Sequence, residues 1–180
     1  NTNSYALYNS GTLLTFDKNN LEYYNNYILE DLNILTSLDT FSELIDTPFS
    51  YNNNLYFLDR SGKITVYNPV SSDILWELDI NDTILSYLFS NNGYLIVLTF
   101  NEILILSNNG NIINSFSHNK ETPITIFNNQ ENIYLISEEG ISKFNFKDKK
   151  KESFYKNKFT SNLEIYFQEQ NIYLKDDKSL

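Results

Sequence analysis

Four short apolar runs recur along this chain at constant spacing. Leu55-Tyr56-Phe57-Leu58, Tyr94-Leu95-Ile96-Val97, Ile133-Tyr134-Leu135-Ile136 and Ile172-Tyr173-Leu174-Lys175 begin at residues 55, 94, 133 and 172, three steps of 39. Each follows an Asn or a Gly: Asn54, Gly93, Asn132 and Asn171. A fixed period of this size signals a repeat architecture. One unit cannot bury both of its faces alone, so it stacks on copies of itself.

The best-preserved unit runs from Thr47 to Ile80. Its first strand is expected at Phe49 to Tyr51 and its second at Leu55 to Leu58. The turn Asp59-Arg60-Ser61-Gly62 follows, with Gly62 where a tight turn wants positive φ. The third strand is expected at Lys63 to Tyr67. The turn Asn68 to Ser72 leads to a fourth at Ile74 to Leu78, which holds the only tryptophan, Trp76. β-branched and aromatic runs between Asn, Gly, Pro and Ser are hairpin signals. The later copies repeat the order, with third strands at Glu102 to Leu106 and Ile141 to Phe146. Their fourth strands are expected at Asn111 to Phe116 and Lys151 to Tyr155. Ser4 to Asp17 aligns with Leu55 to Asn68, placing Ser10-Gly11 over Ser61-Gly62, so the chain enters its first unit at a second strand. Leu21 to Leu32 then carries that unit's last strand. Four antiparallel strands per period of about 40 residues predict an all-β fold, a β-propeller segment of about four blades. The expected divisions are 1–46 (a partial blade and a long connection), 47–82, 83–121, 122–160 and 161–180 (a partial blade).

Charge and residue types narrow the function. The formal net charge is −10, from 13 Lys and Arg against 23 Asp and Glu, so a nucleic-acid partner is disfavoured. The absence of cysteine excludes a disulfide scaffold and a thiol nucleophile. No apolar run reaches the roughly 18–20 residues of a membrane-spanning helix, and no signal peptide is recognisable. With no methionine, the chain is expected to be a processed or excised piece, from which targeting information can have been removed. His118 lies in the polar run SFSHNKE and is expected in a solvated turn. Asp59, Asp79, Asp82, Glu138 and Glu139 are expected in turns or at strand ends. The lysines around Lys151 are expected to guard an exposed sheet edge. No phosphate loop, dinucleotide fingerprint or hydrolase motif is present.

Val66 to Trp76, VYNPVSSDILW, resembles the tryptophan-docking motif of quinoprotein-like propellers, A-x-D-x-x-T-G-x-x-x-W. Val66 stands at the Ala place, Asn68 at the Asp place, Ser71 at the Thr place, Ser72 at the Gly place and Trp76 at the Trp place. The spacing is complete and the tryptophan identical. Thr47-Pro48 with Gly62, and Thr122-Pro123 with Gly140, resemble the opening of this family's blades. Phe116 and Phe154 fall near the tryptophan place of the next two units. The resemblance implies that Trp76, supported by Asn68, Ser71, Ser72 and Gly62, joins one blade to the next.

Some members of the family are quinone- and calcium-dependent dehydrogenases. This chain lacks their vicinal cysteines and shows no calcium constellation, so no enzyme activity, cofactor or metal is expected. Others, the BamB-type outer-membrane assembly lipoproteins, imply a periplasmic or outer-membrane-associated scaffold. Its partners would be other proteins, a β-barrel assembly machinery among them, with self-association if the ring is incomplete. The expected contact surface is the irregular, acidic stretch between the first two units, at Leu38, Glu43, Leu44 and Asp46; long loops on rigid scaffolds often bind. The alternative is a fragment of a quinone-dependent dehydrogenase-type propeller. A WD-type scaffold is disfavoured, because no Gly-His…Trp-Asp signature appears.

Overall fold

The structure is a computed structural model. It describes every residue except 1–2, 8–11, 18, 20–22, 29–47, 72, 119–120, 130–131, 147–149, 157, 160–163, 169–170 and 176–180. The expectations for Ser10-Gly11, Ser72, Leu38, Glu43, Leu44 and Asp46 therefore lie outside the described residues, as does most of the stretch from Leu21 to Leu32 beyond Tyr23–Ile28.

All regular structure among the described residues is strand, in five antiparallel sheets. The first holds β1 (Asn3–Leu7), β2 (Thr12–Asp17) and β3 (Tyr23–Ile28). Three complete four-stranded sheets follow. One is β4 (Phe49–Tyr51), β5 (Asn54–Leu58), β6 (Lys63–Asn68) and β7 (Asp73–Asp79). The next is β8 (Ile84–Phe89), β9 (Leu95–Thr99), β10 (Glu102–Leu106) and β11 (Ile112–Ser117). The third is β12 (Pro123–Asn129), β13 (Asn132–Ser137), β14 (Gly140–Asn145) and β15 (Lys151–Tyr155). A two-stranded sheet, β16 (Glu164–Gln168) with β17 (Asn171–Lys175), ends the described chain. Within each sheet the strands lie side by side in chain order. The chain divides into two compact units, Asn1–Ile84 and Leu85–Leu180.

Burial follows position in the sheet. The middle strands are buried on both faces, as at β5, β6, β9 and β10, which is why they read as continuous apolar runs. The outer strand β7 alternates exposed and half-buried residues. In the second unit the β8–β11 sheet packs on the β12–β15 sheet. Ile96, Leu98, Ile103, Ile105 and Phe116 meet Ile126, Ile133, Leu135 and Phe144, with the Phe116 and Phe144 rings 5.3 Å apart. The opposite face of β12–β15 carries Phe127 and Tyr134, which pack with Ile136 and Ile141 against Phe159 and Leu174.

Turn chemistry fixes the hairpins. Asn52 and Asn53 both take positive φ, 49° and 66°, the geometry of a two-residue turn matched to strand twist. The sequence Ser-Asn-Asn-Gly is used twice, at Ser90–Gly93 and Ser107–Gly110. In each, the Gly N–H donates to the Ser carbonyl, at 2.9 and 3.0 Å. The Ser hydroxyl accepts the N–H of the residue after the Gly, at 3.0 Å for Tyr94 and 3.2 Å for Asn111.

Candidate functional site

Antiparallel order sends alternate turns to opposite ends of each sheet, and this sorts the polar residues. In the β4–β7 sheet one end carries the Asn52–Asn53 and Asn68–Ser71 turns, the latter leading to Asp73; in the β8–β11 sheet the equivalent end carries the Ser90–Gly93 and Ser107–Gly110 turns. The other end carries the turns between second and third strands and the connections between sheets. In the first unit that end holds Asp59, Asp79 and Asp82, with Arg60 and Lys63 beside them; in the second it holds Glu102, Glu121, Glu138 and Glu139. Phe100 is exposed at this end, 62% accessible on the β9–β10 turn. Pro48 leads into β4 at this end of the β4–β7 sheet.

Several of these residues organise backbone. Asp59 is buried, at 1% exposure. Its Oδ1 accepts the Lys63 N–H at 2.9 Å and the Ser61 hydroxyl at 2.6 Å, while Oδ2 has no hydrogen-bond partner. Thr99 ties the next such turn, accepting from Glu102 N–H at 3.0 Å and donating to its carbonyl at 2.9 Å. In the third complete sheet the Ser137 hydroxyl donates to the Gly140 carbonyl at 3.2 Å.

His118 corrects the sequence expectation. It is 1% exposed rather than solvated, with Nε2 3.1 Å from the Thr99 carbonyl oxygen. The chain leaving β11 folds back under the β9–β10 turn, where His118 N–H donates to the Asn101 carbonyl at 3.3 Å. The His118 carbonyl then accepts the Glu121 N–H at 3.2 Å. Glu121 continues the path, accepting from the Ser142 hydroxyl at 2.7 Å and pairing with Lys151 Nζ at 2.9 Å.

The residues of the docking motif fall as follows. Gly62 ends the β5–β6 turn at φ +108°, and its carbonyl accepts the Ile80 N–H at 3.0 Å. Asn68 Oδ1 accepts the N–H groups of Val70 and Ser71, at 2.8 and 3.2 Å, shaping the β6–β7 turn. Trp76 pairs across the ladder with Val66 and meets the Tyr56 ring edge-on at 6.2 Å. Tyr56 in turn stacks on Phe49 at 5.1 Å. Burial, then the charge of Tyr51, pushes the Tyr56 phenol above its ordinary value of 10.0. The same trio recurs 78 residues on: Phe127 stacks on Tyr134 at 4.6 Å, and Phe154 meets Tyr134 edge-on at 5.3 Å. Phe116 differs, pairing with Ile103 and so standing at the counterpart of Leu78, which pairs with Ile64.

At the opening of β12, Thr122 is tied to the Ser137–Gly140 turn. Its N–H donates to Glu139 Oε2 at 2.8 Å, and its carbonyl accepts the Glu138 N–H at 3.0 Å. Burial raises the Glu139 carboxyl. Hydrogen bonds from the N–H groups of Thr122 and Glu139 and the hydroxyls of Ser137 and Thr122 outweigh it and hold the carboxyl below its ordinary value of 4.5. A depressed folded-state value adds stability above the ordinary value and loses it as the pH falls through the folded one. Glu139→Gln is therefore expected to melt slightly below the parent protein at pH 7. The difference should close at pH 3, as two thermal melts would show. The effect is small because Glu139 is exposed and solvent screens it.

Among the described residues, no three His, Cys, Asp or Glu side chains converge on a point that could hold a metal ion. No helix of the described structure is long and apolar enough to cross a membrane.

No family model matches the chain. An uncharacterized protein of Rickettsia conorii is 30% identical over 82 residues, covering 44% of this chain and 20% of that protein. An uncharacterized protein of Rickettsia prowazekii is 27% identical over 156 residues, covering 77% and 37%. The chain thus spans well under half the length of the curated relatives it matches. Among solved structures, the extracellular domain of a one-component system of B. thetaiotaomicron aligns with TM-score 0.70 and 15% identity, covering 97% of this chain and 25% of that one. PorZ, a surface component of the type-IX secretion system of Porphyromonas gingivalis, aligns with TM-score 0.60 and 12% identity over 97% and 23%. The dihydro-heme d1 dehydrogenase NirN aligns with TM-score 0.64 and 10% identity over 99% and 42%. At these identities the likeness is one of fold, and the chain is an all-β propeller segment built from four-stranded antiparallel repeats.

Proposed function

We propose that this chain is a non-catalytic scaffold that binds other proteins through the acidic turn end of its sheets. The carrying observation is made within each unit. In the second, Glu102, Glu121, Glu138 and Glu139 lie at the ends of their sheets that carry the turns between second and third strands, where Phe100 is exposed; in the first, Asp59, Asp79 and Asp82 lie at the corresponding end of the β4–β7 sheet. Hydroxyls and amides at both ends serve turn geometry. Such an end suits a partner presenting basic and apolar side chains. The role of PorZ as a secretion-system surface component supports this reading by analogy of fold. In its specific form the scaffold is a periplasmic or outer-membrane-associated factor that serves the assembly of β-barrel proteins, with Leu38, Glu43, Leu44 and Asp46 in the contact and Trp76 as a joint between blades.

The test is capture of outer-membrane assembly components by the purified chain. Leu44→Ala with Asp46→Ala is expected to weaken capture severalfold while leaving the melting temperature unchanged. Equal capture by parent and double variant removes that surface from the proposal. The quinone-dependent dehydrogenase reading makes a separate demand. Pyrroloquinoline quinone with calcium at high excess should raise the melting temperature by mass action. The scaffold reading expects no shift.

A further inference from the structure

The fourth strand of each complete sheet bulges against the third. Val66 pairs with Trp76 and Tyr67 with Ile74, leaving Leu75 extra in β7. Ile105 pairs with Asn114 and Leu106 with Ile112, leaving Ile113 extra in β11. Ile141 pairs with Tyr155 and Ser142 with Ser153, leaving Phe154 extra in β15. All three extra residues are large, apolar and exposed, at 46%, 49% and 58%. On β7 and β15 charged side chains surround them: Asp73, Glu77 and Asp79 on the first, Lys151 and Glu152 on the second. Charges at an edge resist a strand laid alongside, because pairing would strip them of water or set like charges together.

β11 lacks that protection. It reads IINSFS, with Asn111 before it, and carries no charged residue. Its bulge leaves two neighbours, Ile112 and Ile113, exposed together, where regular alternation would expose one.

We propose that β11 is a self-pairing edge, at which two copies of this chain associate by antiparallel alignment of their β11 strands about a two-fold axis. The segment is complementary to itself. One register sets Ile112 beside the Ile113 of the second copy, and Asn111 beside its Asn114, so four isoleucines leave water together. Asn114 Oδ1 accepts the neighbouring Ser115 N–H at 3.0 Å, which leaves its Nδ2 to donate to the facing Asn111 side-chain oxygen. The second copy is the occupant for an electrostatic reason. A chain of net charge −10 repels itself at acidic surfaces, so a second copy approaches at lower electrostatic cost along an uncharged strand, and β11 combines that with two adjacent exposed isoleucines. Residual repulsion between the two bodies makes the dimer stronger at high salt, where it is screened. This association is independent of the binding end proposed above.

Sedimentation velocity over a concentration series, at low and high salt, tests the proposal. A reversible dimer is expected, its fraction rising with concentration and with salt. Ile113→Lys, at an exposed position, should weaken it about tenfold or more, by placing charge in the ladder. Leu75→Lys, on the equivalent bulge of β7, should leave it unchanged. A chain that stays monomeric throughout overturns the proposal. So does a dimer that Ile113→Lys does not weaken, or one that Leu75→Lys weakens equally.

Discussion

Phe144→Ala is expected to lower stability by about 3–5 kcal/mol, the usual cost of emptying a fully buried phenylalanine site. Phe144 has 0% exposure and sits where the β8–β11 and β12–β15 sheets meet. Its ring touches Phe116 at 5.3 Å, and the Lys151 ammonium lies 5.5 Å from its centroid. Truncation leaves a cavity lined by residues of both sheets, and strands tied by ladders on either side cannot move in to fill it. Phe144→Leu keeps most of the volume and should cost less than about 1.5 kcal/mol. Urea denaturation followed by circular dichroism would separate the two. Equal midpoints for alanine and leucine would show that this contact contributes little to holding the sheets together.

Gly62→Ala should be the most damaging single-methyl addition in the first unit. At φ +108° an L-residue is strained, and a Cβ there would lie 2.5 Å from the Asp82 carbonyl oxygen and 3.2 Å from its nitrogen. The obstacle is backbone, so no side-chain rotation relieves it. The same close approach carries the bond from Ile80 N–H to the Gly62 carbonyl. Strain and displacement together should cost about 2–4 kcal/mol, a drop in melting temperature of roughly 10 °C for a chain of this size. Arg60→Ala, exposed on the same turn, is the control and should change stability by less than about 0.5 kcal/mol. A Gly62→Ala protein that melts with the parent would show that the turn can move away from Asp82.

The strands were legible because two independent signals coincided. Continuous apolar quartets marked the middle strands, and a constant step of 39 marked their copies. The expected ends at Phe49–Tyr51, Glu102–Leu106 and Lys151–Tyr155 coincide with β4, β10 and β15. Burial in the turns was not legible. Asp59 and His118 look like solvent-facing turn residues by neighbourhood, yet each is 1% exposed in the folded chain, His118 by folding back beneath the β9–β10 turn. The bulges were invisible for a related reason. An extra residue in an outer strand changes the register but not the composition. Phe116 illustrates the cost: the turn after β10 brings Ile103 opposite Phe116, one residue earlier than a strict 39-residue step from Ile64 and Leu78 would place it. Which side chains share an end of a sheet was implicit in the alternation of turns, but it emerges only when strand order is known.

The lone indole gives the molecule a built-in optical reporter. Trp76 lies in the β4–β7 sheet with Tyr56 edge-on beside it, and the second unit contains no tryptophan. Red-edge excitation, which spares tyrosine, therefore reads the local surroundings of that sheet alone. Excitation of tyrosine adds energy transfer from Tyr56, which fades as the two rings separate. Melting of the Thr47–Ile80 repeat can thus be followed by its own colour, without a label.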